Sequence, residues 1–328
     1  MTRSLTVSRE SWPLASIFRI SRGARAASAV IVVGITDGTA TGRGECFPYA
    51  RYGESLDSVE FQIQSAAEAI AAGAGREELL SILPAGAARN AVDCALWDLE
   101  AKQAGTRAWT LAGLGELEPV TTVFTLGVDT PEVMAGKASE NCARPRLKLK
   151  MTGDGLDLER VAGIHAAAPD TGLVVDANEG WTIEQYLEVA PKLAALGVEM
   201  IEQPLPAADD ASLAGVERVV PVCADESCHD TASLAGLIGK YDMINIKLDK
   251  TGGLTEALRL RDAAVDAGFG IMVGCMIGTS LAMAPGVLVA QGAAVVDLDG
   301  PLLLAKDRDP GLTYDGSIIL PPLAMLWG

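Results

Sequence analysis

The feature that most constrains this chain is a rhythm: eight short β-rich runs recur from residue 121 onward at nearly constant spacing. They cover 121–126, 146–151, 172–176, 198–202, 219–224, 243–248, 268–273 and 293–298, with starts 25, 26, 26, 21, 24, 25 and 25 residues apart. The Ala-, Leu- and Glu-rich stretches between them, such as 156–168, 182–196 and 255–267, read as helices. Strand–helix–strand units of this length require parallel pairing and right-handed crossovers. Eight of them close into a barrel whose last strand runs straight into a tail. An open doubly wound sheet is the rival, but eight even units without a Gly-rich phosphate loop favour the barrel.

Residues 1–115 break the rhythm. Segments 5–8 and 28–37 read as strands, the second ending in a turn at Asp37-Gly38, and helices follow at 56–72 and 87–103. The second helix carries apolar residues at 91, 92, 95, 96 and 99, a stripe that faces a core. The sequence therefore predicts an α+β domain over 1–115, a barrel over 119–299, and a tail, 300–328, that packs back on the first domain.

Composition narrows the partners. The 328 residues include 26 Lys plus Arg against 43 Asp plus Glu, a net charge of −17, which repels nucleic acid and anionic membranes. The chain is 49% apolar, yet no run approaches the length of a membrane span, and no secretory leader is visible at the start. Six scattered cysteines in a chain this long suit a reducing cytoplasm. Cys223, Cys228 and His229 lack the spacing of a zinc site, and His165 reads as a helix-surface residue.

In a barrel, chemistry gathers where strands end. The second strand ends Lys148-Leu-Lys150, with both lysines on one face; the third ends at Asp176, the fourth at Glu202, the fifth at Asp225-Glu226. The sixth ends Lys247-Leu-Asp-Lys250-Thr-Gly-Gly, and the eighth Asp297-Leu-Asp299. Each acid alone reads as a helix cap. Three converging on one rim repel one another unless a cation is present, and oxygen donors alone favour Mg²⁺. Lysines on the second and sixth strands flank that cation from opposite sides. Near it, and partly desolvated, a lysine is expected to lose its proton more readily and act as a base. A carboxylate held by Mg²⁺ has an acidified α-carbon, so two flanking lysines suit 1,1-proton transfer through a stabilised enediolate.

The order K-x-K, D-x-N, E-x-P, D-E, K-x-x-K-x-G-G resembles the muconate-lactonizing branch of the enolase superfamily. The resemblance covers essentially the whole chain. It implies an α/β fold, a modified TIM barrel (β/α)₇β with an N-terminal α+β capping domain. The Asp297-x-Asp299 pair and the stretch 44–55 are similar to the dipeptide epimerases, above all the bacterial enzymes acting on L-Ala-D/L-Glu from murein. It implies one Mg²⁺ per subunit at Asp176, Glu202 and Asp225. Lys150 would serve the R epimer and Lys247 the S epimer, with Lys148 on the substrate carboxylate. Asp297 and Asp299 would hold the dipeptide ammonium, which also fits charge-assisted bonding by two carboxylates on one strand face.

Arg22 and Arg25 fall where this family's specificity loop lies, and Arg25 is assigned the distal substrate carboxylate. Thr125 and Cys275, ending the first and seventh strands, are expected to line the pocket, and Tyr49, Arg51 and Tyr52 to shape it. An N-acyl amino acid racemase, an o-succinylbenzoate synthase or a muconate cycloisomerase are the alternatives within the branch. A Schiff-base lyase on Lys247 and a non-catalytic amino-acid-binding barrel are the readings outside it. The expected partner is a small dipeptide, with neither nucleic acid nor membrane; a homo-oligomer stays open.

Overall fold

The computed structural model describes residues 2–328. Its first sheet is antiparallel: β1 (Ser4–Ile20), β2 (Gly23–Thr36) and β3 (Thr41–Cys46). Strands β1 and β2 form one hairpin far longer than the two short strands the sequence suggests, with a register shift between Pro13 and Phe18. Its outer half extends beyond the first core, so Arg25 lies on a strand opposite Phe18 rather than in a loop. β3, for which the sequence predicts no element, packs on the helix Ala87–Ala104 so closely that a Cβ on Gly44 would stand 2.1 Å from the Ala91 carbonyl oxygen.

Four helices follow: α1 (Leu56–Ser65), α2 (Ala67–Ala71), α3 (Arg76–Ile82) and α4 (Ala87–Ala104). Ser55 caps α1 in a reciprocal box with Ser58, the side-chain chemistry that starts a helix. α4 ends at Gly105 in the left-handed conformation that glycine adopts freely. Ile31, Val33 and Ile35 of β2 meet Val59, Ile63, Val92 and Leu96 in one buried cluster.

After α5 (Ala108–Leu111) and β4 (Val120–Thr121) come the parallel strands β5 (Phe124–Leu126), β6 (Arg146–Lys150), β7 (Gly172–Asp176), β8 (Val198–Glu202), β9 (Val222–Ala224), β10 (Met243–Ile246), β11 (Gly270–Val273) and β12 (Val295–Val296). They pair strictly in sequence order, and a parallel bridge from Thr122 to Val296 closes the curl. Helices α6 (Pro131–Glu140), α7 (Asp157–Ala167), α8 (Ile183–Ala195), α9 (Leu248–Thr251), α10 (Leu254–Asp266) and α11 (Ser280–Val289) lie on the crossovers. The crossovers after β8 and β9 carry only short 3₁₀ turns, at Asp210–Leu213 and Thr231–Gly236.

Alternate residues point into the barrel. Val123, Val174, Met200, Cys223, Met272 and Val295 fill its interior, while the residues two positions further along each strand form the floor of the mouth. The tail adds a hairpin, β13 (Tyr314–Asp315) and β14 (Ile318–Ile319), that pairs with β4. It ends with buried Trp327 donating to the Cys94 carbonyl and Gly328 N–H to Asp98.

Candidate active site

A cavity of about 410 Å³ opens at the C-terminal ends of the barrel strands, roofed by the outer half of the β1–β2 hairpin and the loop 47–51. Strand register explains what lies at its base. Lys150 pairs with Asp176, and Asp176 with Glu202, across β6, β7 and β8; Asp225 ends the next strand and Lys247 the one after. The three acids thus occupy three consecutive strands, with one lysine on each flank.

The carboxylates are at most 2% exposed. They already share cationic atoms. Lys148 Nζ lies 2.6 Å from Glu202 Oε2 and 3.3 Å from Asp176 Oδ2, while Lys247 Nζ lies 2.6 Å from Asp225 Oδ2 and 4.0 Å from Glu202 Oε1. Lys150 Nζ donates to Asp176 Oδ2 at 2.6 Å. With ammonium groups between them, no three His, Cys, Asp or Glu side chains among the described residues converge as a ready-made ligand set. Each of two ammonium groups already gathers a pair of carboxylates, Lys148 those of Glu202 and Asp176 and Lys247 those of Asp225 and Glu202. Glu202 Oε2 has the Lys148 ammonium 2.6 Å away, and a carboxylate oxygen with one such partner keeps a lone pair for a further cation. An all-oxygen, buried, acidic donor set of this kind fits a hard divalent cation.

Charge and burial pull the ionisations apart. Burial and the Asp176 charge raise the Glu202 pKa. Burial also works against ionisation of Asp176 and Asp225, but Lys150 and Lys148 hold the first below its ordinary range, and Lys247 and Lys250 the second. The expectation of an easily deprotonated lysine presupposes a cation beside it; the protein groups around Lys247 act in the other direction. Burial alone would lower its pKa, but Asp225 and Glu202 outweigh it and raise it well above the usual value. The lowering needed for a neutral amine has to come from a cation competing for the same carboxylates.

The sequence-selected residues fall in two groups. Lys150, Asp225, Lys247, Thr125, Cys275, Asp297, Asp299 and Arg25 line the cavity; Asp176, Glu202 and Lys148 lie beneath it. Lys148 is fully buried and also donates to Asp297 at 2.7 Å, which joins the acid cluster to the Asp297/Asp299 pair. Asp299 accepts the Thr125 backbone N–H at 2.6 Å; burial first, then Asp297, pushes its pKa up to about 7.

Arg25 makes no ion pair among the described residues and stacks 4.8 Å from the Phe47 ring centre. Its neighbours are committed to protein carboxylates: Arg22 to Glu179 and Glu226, Arg51 to Glu179. Sequence reasoning missed those bridges, which tie both capping loops to the barrel. It also missed Asn245, which donates to Glu202 Oε1 at 2.7 Å, and Gly274, where a Cβ would lie 3.0 Å from Lys247 Cε. Asn245 was findable by parity, since it precedes Lys247 by two on one strand.

Residues 134–309 match the family described as enolase C-terminal domain-like, and residues 2–113 the mandelate racemase / muconate lactonizing enzyme N-terminal domain. The chain belongs to the enolase superfamily. It is 47% identical to the L-Ala-D/L-Glu epimerase of Escherichia coli (strain K12), over 95% of this chain and 98% of that one. It is 44% identical to an N-acetyl-D-glutamate racemase of Pseudoalteromonas sp, over 91% and 95%. A solved enolase family member from Agrobacterium tumefaciens, described as homologous to dipeptide epimerases and bound to sodium and L-Ala-L-Glu, superposes with a TM-score of 0.98 at 52% identity, covering 99% and 100%. The dipeptide epimerase of Enterococcus faecalis V583, complexed with Mg and L-Leu-L-Tyr, gives 0.90 at 30% identity over 98% of each chain.

Proposed function

We propose that this enolase-superfamily isomerase is a dipeptide epimerase that inverts the C-terminal α-carbon of L-Ala-L-Glu and its D-Glu epimer. The observation that carries the reading is the arrangement of two lysines, at the C-terminal ends of β6 and β10, either side of three consecutive strands with a buried carboxylate at or just past each end. Bound at Asp176, Glu202 and Asp225, Mg²⁺ would supply positive charge to the substrate carboxylate and so stabilise charge developing at the α-carbon.

The chain's own groups do the rest. Lys150 and Lys247 reach the cavity from opposite sides of the ring. One takes the α-proton from its face and the other returns a proton from the opposite face, which inverts configuration. Lys148, beneath the floor, balances Glu202 and Asp297 instead of touching substrate. Asp297 and Asp299 accept from the dipeptide α-ammonium, and their placement selects a free amine over an acylated one. Arg25, the cavity arginine without a protein carboxylate, pairs with the γ-carboxylate of the substrate glutamate; Arg22 and Arg51 close the roof.

N-acetylglutamate is the second substrate to weigh, because of the Pseudoalteromonas relative. An amide has no positive charge to offer two carboxylates, so it should react far more slowly than L-Ala-L-Glu. A panel of both compounds with L-Ala-L-Ala and L-Ala-L-Leu tests the reading. Arg25→Ala should lower kcat/KM for L-Ala-L-Glu about 10- to 100-fold, the loss of a charge-assisted pair, and leave the neutral dipeptides within about threefold. A uniform loss removes Arg25 from recognition, and N-acetylglutamate reacting as fast as the dipeptide removes the ammonium role of the Asp pair.

A further inference from the structure

Three non-glycine residues adopt the left-handed backbone region: Asn178 (φ 47°), Glu179 (φ 65°) and Gln203 (φ 36°). All three follow closely on Asp176 or Glu202. Backbone strain of this kind persists only where surrounding bonds over-determine it, and around Gln203 those bonds can be followed one by one.

Gln203 sits between Glu202 and Pro204 and is fully buried. Its backbone N–H donates to the Cys223 carbonyl on β9 at 2.9 Å, and its carbonyl accepts from Glu179 N–H, in the loop after Asp176, at 2.9 Å. Its side-chain Oε1 accepts the backbone N–H groups of Asp225, at 2.8 Å, and Ser227, at 3.2 Å. Its Nε2 faces the Leu205 carbonyl, Ser227 Oγ and Tyr241 OH, each at 2.9 Å. One uncharged residue therefore joins the loops that follow β7, β8 and β9: its backbone carbonyl holds the first, and its side-chain amide ties the second to the third. The amide is held so that its oxygen, and not its nitrogen, meets Asp225: three acceptors surround Nε2 and two donors surround Oε1.

We propose that Gln203 is a positioning residue for the cation site, fixing Asp225 relative to Glu202 and thereby setting the affinity for the divalent ion. This rests on the reading that Asp176, Glu202 and Asp225 hold such an ion. Gln203 touches neither the cavity nor an acid side chain, and it carries no charge. Replacing it leaves the Coulomb attraction for a cation unaltered and changes only where Asp225 stands.

The test is Mn²⁺ binding to the substrate-free protein, followed by electron paramagnetic resonance, in the wild type, Gln203→Met and Gln203→Asn. Thermal melting confirms which variants are folded. Methionine keeps the length without the amide. Asparagine keeps the amide, tolerates the left-handed backbone and is one methylene too short to reach Asp225 N–H. In each folded variant the Mn²⁺ dissociation constant should rise at least tenfold, and α-deuterium exchange of both epimers should fall by the same factor. A folded variant that binds Mn²⁺ within twofold of the wild type overturns the proposal, as does a loss confined to one epimer. Wild-type protein that binds no Mn²⁺ overturns the cation-site reading itself, so the two failures are told apart.

Discussion

A carboxyl that is buried beside a second carboxylate ionises late, and Asp299, with a pKa pushed up to about 7 by burial and by Asp297, is in that position. Below pH 7 it is neutral and attracts an ammonium weakly; above pH 7 it is charged. The substrate α-amine itself loses its proton near pH 8. The apparent kcat/KM for L-Ala-L-Glu should therefore rise through about pH 7 and fall again above about pH 8. Asp299→Asn should lose the rising limb and about 1–3 kcal/mol of ammonium binding, read as KM. An unchanged pH profile in that variant would take Asp299 out of substrate binding. At this scale the sequence is most readable where strand parity applies. Lys150, Asp176, Glu202, Asp225 and Lys247 can be picked from strand ends alone. Lys250 could not be understood that way: it repeats the lysine pattern, yet its ammonium is consumed by the Asp225 carboxylate, the Asp225 carbonyl and the Asn245 carbonyl. Those partners converge only through the turn of α9, which no spacing rule displays.

At the scale of elements, the barrel strands and α7, α8 and α10 stand within a few residues of their sequence-based limits, because buried apolar runs and helical periodicity are local signals. The capping sheet was harder to read. The outer part of β1 and β2 is largely exposed, so the alternation that marks a half-buried strand fades there. β3 carries Gly42 and Gly44, which suggest a turn when read locally. Their reason is tertiary: Cβ atoms at these positions would lie 2.0 and 2.1 Å from the Ala95 and Ala91 carbonyl oxygens of α4. Gly44→Ala should accordingly separate β3 from α4 and cost about 3 kcal/mol, measured as a lowered urea midpoint with unchanged slope. Stability within about 0.5 kcal/mol of the wild type would show that this contact is loose.

Across the whole molecule, α4 is the element on which cap, barrel and tail meet. Asp93 accepts both the backbone N–H and the hydroxyl of Thr255 on α10, Trp97 donates to the same hydroxyl, and the tail docks on Cys94 and Asp98. Burial raises the Asp93 pKa from 3.8 to about 6, against the Thr255 bonds that lower it. A raised folded-state pKa means that the folded chain binds the proton more tightly than the unfolded one. The stability it contributes is complete below about pH 4 and is lost as pH rises through about 6. The change amounts to roughly 3 kcal/mol at 1.4 kcal/mol per pKa unit. Asp93→Asn should flatten the unfolding free energy between pH 4 and 6 and leave the variant at least as stable as the wild type at pH 7. A variant that keeps the wild-type slope would place the titrating group elsewhere. The joint was invisible in sequence because it unites residues 93, 97 and 255, which only the docking of α4 against α10 brings together.

The proposed reaction is proton exchange across one α-carbon between Lys150 and Lys247, over a cation that Asp176, Glu202 and Asp225 would hold. The most direct measurement is incubation of L-Ala-L-Glu in D₂O with Mg²⁺, scoring deuterium and configuration at the glutamate α-carbon together. The product should be L-Ala-D-Glu carrying one α-deuterium, with no exchange after EDTA and recovery on adding Mg²⁺. Lys247→Ala should end epimerisation while leaving α-exchange measurable for one epimer only. Epimer formed without deuterium, or at an undiminished rate in EDTA, would contradict it.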